Sequence, residues 1–371
     1  MRASSINKIK EGSILGKSIY SSDGRLLLSK GISLDKNLLH VLRKNQIVYV
    51  YIEDEISKDI EIHSIIDDKV RVEAITNMKK IFHKAMYHGK GKEKVDWVPL
   101  QARFQVESII NDILESLKNN EGVLYNITEL MGTDMHTYNH SVNVAVLAIL
   151  TARTLGFCEK DIREIGLGAL LHDLGKIKLE SEILNKEDFL NEEEAELMKK
   201  HVDYGYEMVK DDLSLSYIVK QIIYSHHEYL DGSGYPRGLK EKELLDYSKI
   251  VTICDEFDIL TSSKHGKKKM STYEALELLS SKTLEKLDPN IFNKFMENIA
   301  VYPIGTGVVL EDGRKGIVVD IHRTYPTRPI VRIIEDKTKK DYYEIDLMKN
   351  LTIFIKDVID LDFLHNETAD A

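Results

Sequence analysis

The sequence predicts a mainly α fold: a helical bundle preceded by a small α+β N-terminal module and followed by a short β-rich C-terminal segment. Three observations carry this. Between 122 and 300, apolar residues recur at the three-and-four spacing of buried helix faces. Before 53 and after 301 the pattern changes to short runs split by Asp-Gly pairs, glycine and proline, as strands and turns require. The chain has 371 residues, 43% hydrophobic and 30% charged, which is long enough and apolar enough for two or three globular domains.

Residues 1–53 read as the N-terminal module. SILGKSIYSSDGRLLLSKG holds two strand-like runs around Asp23-Gly24, a hairpin signal. SLDKNLLHVLRKNQ follows at helical spacing with Ser33 as the expected N-cap, and IVYVYI reads as a strand. The module carries no chemistry, so a structural or docking role is expected, with a protein partner the sequence does not name. Residues 54–121 form a charged, helix-compatible connector, broken at HGKGKEK. Its second half places Phe104, Val106, Ile109, Ile110, Ile113, Leu114 and Leu117 on one helical face. Such a face either joins two subunits in a homodimer or packs on its own chain.

Residues 122–300 are the helical domain, and 301–371 a β appendage ending in a polar tail. The turn of the appendage is expected at Asp312-Gly313. Its Gly305-x-Gly307 is no dinucleotide fingerprint, because no βαβ unit surrounds it. A formal net charge of −10 argues against a nucleic-acid polymer as partner but leaves room for a small anion in a local pocket. No run reaches the roughly 18 apolar residues of a membrane helix, and the first residues lack a signal-peptide core. Cys158 and Cys254 stand alone, in no CxxC pattern, as in a reducing cytoplasm.

Chemistry concentrates in the helical domain. Of 13 histidines, six fall between His136 and His227, about a quarter of the chain. His136 and His140 are four apart, so one helical face presents both. Taken alone, a histidine on so apolar a helix is more often a satisfied core residue. IGLGALLHDLGKIKL then ends an apolar helix in His172-Asp173, with Gly175 as a stop that tolerates positive φ and Lys176 after it. Burying this trio is costly; a divalent cation offsets it, and an Asp–Lys ion pair is the plainer alternative. His201 lies on a helix with Gly205 four residues on, where something can approach closely. HHEYLDGSGYPRGL starts with His226 and His227 at the end of another apolar helix. IVTICDEFDILTS buries Asp255, with Asp258 three residues on, where a metal or a ligand histidine is the natural partner. Several helices aiming imidazoles and carboxylates inward is how bundles build two-metal sites. That donor set suits iron, manganese, nickel or zinc better than magnesium.

In order, His140, HDLGK, HVDYG, HHEYLDGSGYPRGL and CDEFDILTS resemble the signature of HD-domain metal-dependent phosphohydrolases. More narrowly they resemble the HD-GYP subfamily, bacterial phosphodiesterases that cleave the second messenger cyclic di-GMP. The resemblance covers roughly 122–300, and the β appendage resembles a segment that often follows such domains. It implies that His140, His172, Asp173 and Asp255 hold one metal. Asp173 would bridge to a second held by His201, His226 and His227. His136 stands where some members carry a glutamate for a third metal, so two or three divalent metals, iron or manganese, are implied. Lys176 would contact the scissile phosphate, and Gly234, Tyr235 and Pro236 would form the loop beside the substrate. The family usually continues with an Arg-Pro-Tyr-Arg/Lys stretch; here Lys264 and Lys267 match its two basic positions in charge, without arginine's planar fork. The implied activity is hydrolysis of cyclic di-GMP to pGpG, GMP or both by a metal-activated hydroxide. Hydrolysis of another nucleotide such as cyclic GMP-AMP, or sensing of a cyclic dinucleotide without cleavage, stands as the alternative.

Overall fold

The computed structural model describes residues 1–20, 25–45, 47, 49–88, 100–120, 123–125, 136–184, 186, 188–262, 270–335 and 341–359. The chain gathers into two units. One comprises Met1–Ile65, Gly122–His136 and Ile299–Ala371; the other comprises Ile66–Glu121 and Thr137–Asn298.

In the first unit, β1 (Arg2–Ser5), β2 (Ile14–Leu15) and β5 (Tyr49–Glu53) form an antiparallel sheet with β5 in the middle. Strands β3 (Ile19–Tyr20) and β4 (Leu26–Leu28) pair as the expected hairpin, although Asp23-Gly24 itself lies outside the described residues. Helix α1 (Lys36–Lys44) is capped by Asp35 rather than Ser33: the Asp35 carboxylate accepts from Leu38 N–H at 2.8 Å. Ser33 is unavailable because its backbone bridges to Ile14 and its hydroxyl donates to the Gly12 carbonyl. Leu39 and Leu42 turn the helix's apolar face onto Leu15, Leu34 and Ile52.

The β appendage is a five-stranded antiparallel sheet: β6 (Gly307–Leu310), β7 (Lys315–Asp320), β8 (Ile330–Glu335), β9 (Tyr343–Asp346) and β10 (Ile355–Ile359), in the order β10-β6-β7-β8-β9. Asp312-Gly313 forms the β6–β7 turn, with Gly313 at φ +88°. Within this unit the two ends of the chain share a core, since Tyr51, Ile60 and Ile62 pack with Ile317. Arg332 on β8 also donates to both carboxylate oxygens of Asp59, at 2.7 and 2.6 Å.

The second unit is helical: α2 (Asp68–His88), α3 (Leu100–Asn119), α4 (His136–Thr154), α5 (Glu159–Leu171), a 3-10 turn (Leu174–Lys178), α6 (Ser181–Leu184), α7 (Glu192–Lys199), α8 (His201–Val209), α9 (Tyr217–Ser225), α10 (Asp246–Thr261), α11 (Thr272–Lys282) and α12 (Pro289–Met296). Helices α4 and α10 are buried on nearly every side, as their unbroken apolar runs demand. Helix α5 packs on α9, where Gly168 lets Ile222 come close. The α3 face is buried within the chain through Val106, Ile109, Ile110, Ile113 and Leu117, against α2 and α5. Own-chain packing therefore accounts for this face; Phe104, counted on it from spacing, is exposed. No helix among the described residues is long and apolar enough to cross a membrane.

Gly175 is not the helix stop its position suggested: α5 already ends at Leu171, and Gly175 lies inside the 3-10 turn, where it serves close packing. Its φ is not positive; a Cβ there would sit 1.9 Å from the His201 carbonyl oxygen and 2.4 Å from Gly205 N. The 3-10 turn and α8 touch backbone to backbone, and Gly205 is the small residue on the other side. Gly175→Ala is expected to cost about 1–3 kcal/mol by overpacking against immobile backbone. Gly205→Ala, which would meet the Ile223 methyl at 3.0 Å, is expected to cost less. Equal urea midpoints for the two variants would contradict this packing.

Candidate metal centre

The centre is assembled from five elements of the second unit. Helix α4 supplies His140; the end of α5 supplies His172 and Asp173. The first residue of α8 is His201, His226 and His227 follow α9, and Asp255 lies in α10. His140, His172, Asp173, His201, His226 and Asp255 are all at most 4% exposed. Three overlapping sets could each hold a metal ion: His140, His172 and Asp255; His172, Asp173 and His226; and His201, His226 and His227.

His140, His172, His201 and His226 are each aimed by what their Nδ1 meets. His172 Nδ1 lies 2.6 Å from the Ala169 carbonyl and His201 Nδ1 2.7 Å from that of Met198. His226 Nδ1 lies 3.1 Å from the Ile223 carbonyl. Carbonyl oxygens only accept, so these Nδ1 atoms carry the protons and the Nε2 atoms are bare acceptors. His201 Nε2 and His226 Nε2 nevertheless face each other at 3.3 Å. Two acceptors at that distance form no hydrogen bond; a cation between them gives both a partner. The carboxylates agree, for Asp173 Oδ1 and Asp255 Oδ2 are buried without a hydrogen-bond donor.

His140 shows the same demand in another form. Its Nδ1 donates to Asp258 Oδ2 at 2.7 Å, and its Nε2 lies 3.0 Å from Asp255 Oδ1 and 3.2 Å from His172 Nε2. Burial opposes charge on this ring, but the carboxylates of Asp255 and Asp258 overcome it and raise its pKa to about 9. In the metal-free protein a proton on His140 stands where a metal would bind. Burial pushes the other imidazoles down, His201 to about 3 and His227 to about 4. It also opposes charge on Asp173 and Asp255. Lys176 and the surrounding histidines nonetheless hold Asp173 well below the usual carboxylate range, and His140 and His227 do the same for Asp255.

Lys176 Nζ donates to Asp173 Oδ2 at 2.5 Å, so the Asp–Lys pair is present, but it satisfies only one of the two oxygens. The side chains of Lys176 and His227 are each 16% exposed and mark the mouth of the cluster. The Gly234-Tyr235-Pro236 loop folds back over this mouth. Tyr235 stacks on His227 at 4.7 Å, and Lys199 Nζ lies 5.6 Å from the Tyr235 ring. Gly234 is required for the closeness of that fold: a Cβ would lie 2.5 Å from the backbone of residues 227–229. The side chain of His136, and Lys264 and Lys267 altogether, lie outside the described residues.

Three supporting residues had no role assigned from spacing. Asp258 orients His140. Asn143 donates to Asp258 Oδ1 at 2.9 Å. Glu228, 2% exposed, accepts the backbone N–H groups of Arg237 at 2.8 Å and Leu239 at 3.0 Å, tying down the far side of the loop. Asp258 had a signal, an acid three residues from Asp255 on a buried helix. Glu228 and Asn143 had only their neighbourhood to histidines.

A helical bundle with a buried, unsatisfied histidine–carboxylate cluster is a candidate metal centre. Residues 113–291 match the HD-domain family, and residues 307–366 match the KOW domain associated with HD domains. Cyclic di-GMP phosphodiesterase PA4108 of Pseudomonas aeruginosa is 33% identical over 61% of this chain and 54% of its own length. A cyclic di-GMP phosphodiesterase of Thermotoga maritima is 33% identical over 48% of this chain and 50% of its own length. A 3'3'-cGAMP-specific phosphodiesterase of Vibrio cholerae is 32% identical over 45% and 36%. Among solved structures, an HD-GYP-like protein of Bdellovibrio bacteriovorus, Bd1817, is similar at 20% identity and a TM-score of 0.49, over 79% of this chain and 97% of that one. Residues 113–291 of the chain thus carry an HD domain, similar in sequence to those of the cyclic di-GMP phosphodiesterases above. It spans about half the length of the first two curated relatives.

The depressed imidazoles fix a pH dependence for the metal-free protein. Unfolded histidine titrates near 6.5, so below that pH the unfolded chain takes up protons that folded His201 and His227 refuse. Stability is lost as pH falls, by about 2 kcal/mol for each at pH 5. His140 acts oppositely: its contribution is complete below 6.5 and is lost as pH rises through about 9. Denaturant melts of chelator-treated protein are expected to show maximal stability near neutrality. A stability that stays constant from pH 7 to 5 would contradict the assignment.

Proposed function

We propose that this chain is a metal-dependent phosphodiesterase that hydrolyses cyclic di-GMP to pGpG, GMP or both. One observation carries the reading: a buried cluster of bare imidazole nitrogens and donorless carboxylate oxygens opens beneath a tyrosine-bearing loop flanked by two lysines. Relatives named for this activity support the choice of substrate. In this reading His140, His172, Asp173 and Asp255 hold one divalent metal, and Asp173 with His201, His226 and His227 holds a second. Iron or manganese suits such donors. His136 is the candidate for a third, which bears on whether hydrolysis stops at pGpG. The free thiols of Cys158 and Cys254 fit a reducing cytoplasm.

Bound metals supply Lewis-acid charge and a water acidic enough to attack phosphorus at neutral pH. The chain's own residues do the rest. The outward carbonyl partners of Nδ1 hold His172, His201 and His226 aimed, with Nε2 turned to the site. Asp173 keeps Lys176 at the mouth, where its ammonium meets the phosphoryl oxygens as negative charge builds on them. Gly234, Tyr235 and Pro236 wall the site on the His227 side and shield it from bulk water. Lys264 and Lys267, which match the two basic positions of the family's ligand-contacting stretch in charge, are assigned to the substrate. Lysines in place of arginines there, with a relative specific for 3'3'-cGAMP, favour cyclic GMP-AMP as the second reading.

Manganese-loaded protein incubated with each dinucleotide, with products separated by chromatography, is expected to cleave cyclic di-GMP faster. Asp173→Ala is expected to lose bound metal and about a thousandfold in turnover while keeping its helical circular dichroism. Full turnover by folded Asp173→Ala would refute the mechanism; binding without cleavage by the unmodified chain would make it a sensor.

A further inference from the structure

A line of hydrogen bonds runs from helix α2 to the candidate metal centre. Arg71, only 4% exposed, donates through Nη1 to Asn143 Oδ1. Asn143 Nδ2 donates to Asp258 Oδ1 at 2.9 Å, and Asp258 Oδ2 accepts from His140 Nδ1 at 2.7 Å. All four residues are buried in the second unit. Arg71 lies outside the segment matched to the HD domain, 113–291.

The chemistry of the line permits one arrangement. A guanidinium has no acceptor and an ionised carboxylate no donor, so Asn143 between them must turn its oxygen to Arg71 and its amide N–H to Asp258. That choice fixes Asp258, which in turn fixes the Nδ1–H tautomer of His140 and leaves Nε2 for the site. A positive charge at the outer end polarises the amide and strengthens its donation to the carboxylate. Helix α2 also packs on the 3-10 turn that carries Lys176.

We propose that Arg71 is a positioning residue of the metal centre, acting through Asn143 and Asp258 to hold His140 in its ligating form. The proposal rests on the reading of His140 as a metal ligand, and the test separates the two. Manganese(II) affinity is measured by equilibrium dialysis with elemental analysis on the full chain. His140→Ala is expected to abolish binding at one site; retained full stoichiometry would overturn both the ligand reading and the proposal. Arg71→Met is expected to weaken manganese binding about 10- to 100-fold, the usual effect of losing a residue that orients a ligand, with Arg71→Lys recovering part of the loss. Wild-type affinity in Arg71→Met, with His140→Ala defective, would overturn the proposal alone. In an Asn143→Ala background Arg71→Met is expected to add little, because the line is already cut. Additive losses would mean that Arg71 acts as ordinary packing and would likewise overturn it. Should Arg71→Met not fold, Arg71→Gln takes its place in the same cycle, with the same outcomes deciding.

Discussion

Two bare imidazole nitrogens, those of His201 and His226, face each other 3.3 Å apart in a buried helical interior, and much of the second unit is arranged around that unfavourable contact. Acceptors do not gather in an apolar core without a cation or a proton to share. Each ring can stand there only because its other nitrogen is satisfied by a carbonyl or carboxylate behind it. The carbonyl partners belong to the turns of backbone that carry the rings, so α5, α8 and α9 end or begin where the histidines are needed. The glycine contact between the 3-10 turn and α8 brings Asp173 and His201 within 3.4 Å of each other. The proton on His140 completes the pattern, since this ring lies within 3.0 Å of two carboxylates, those of Asp255 and Asp258.

Much of this was legible in the sequence, because burying a charge leaves a mark. His172-Asp173 at the end of an apolar run and Asp255 inside one are costly wherever they sit, and the cost points to a shared partner. The likeness to HD-GYP proteins then drew His201, His226 and His227 into the same set. What stayed hidden were groups whose role depends on where the chain returns. Glu228 looks like one more acid beside a loop until the backbone of 237 and 239 arrives at its carboxylate. Arg71 belongs to a charged helix whose relation to α4 no local spacing encodes. Ser33 and Gly175 show the same limit at short range: each suits its local pattern, yet a neighbouring strand or helix decides its conformation.

The two units divide the labour in a way that the linear order conceals. The histidine cluster and both long connector helices belong to the helical unit, while the first and last stretches of the chain meet in the β-rich one. The connector is thus continuous with the bundle's own packing, and α2 reaches the centre both through Arg71 and through the turn that holds Lys176. A helix that would be dismissed as a spacer is part of the scaffold around the histidine cluster.

The Glu228 brace bears on how this loop can change over evolutionary time. Its carboxylate grips main-chain N–H groups at 237 and 239 and ignores the identity of the side chains there. Drift at those two positions is therefore tolerated by the brace itself, and a change at 237 is felt through the Arg237 side chain's own bond to Ser225 Oγ. Only proline, which has no N–H to offer, is barred from both positions. The brace thus fixes the course of the main chain whatever side chains it carries, and the Arg237 side chain adds a hold of its own on Ser225 and Tyr224.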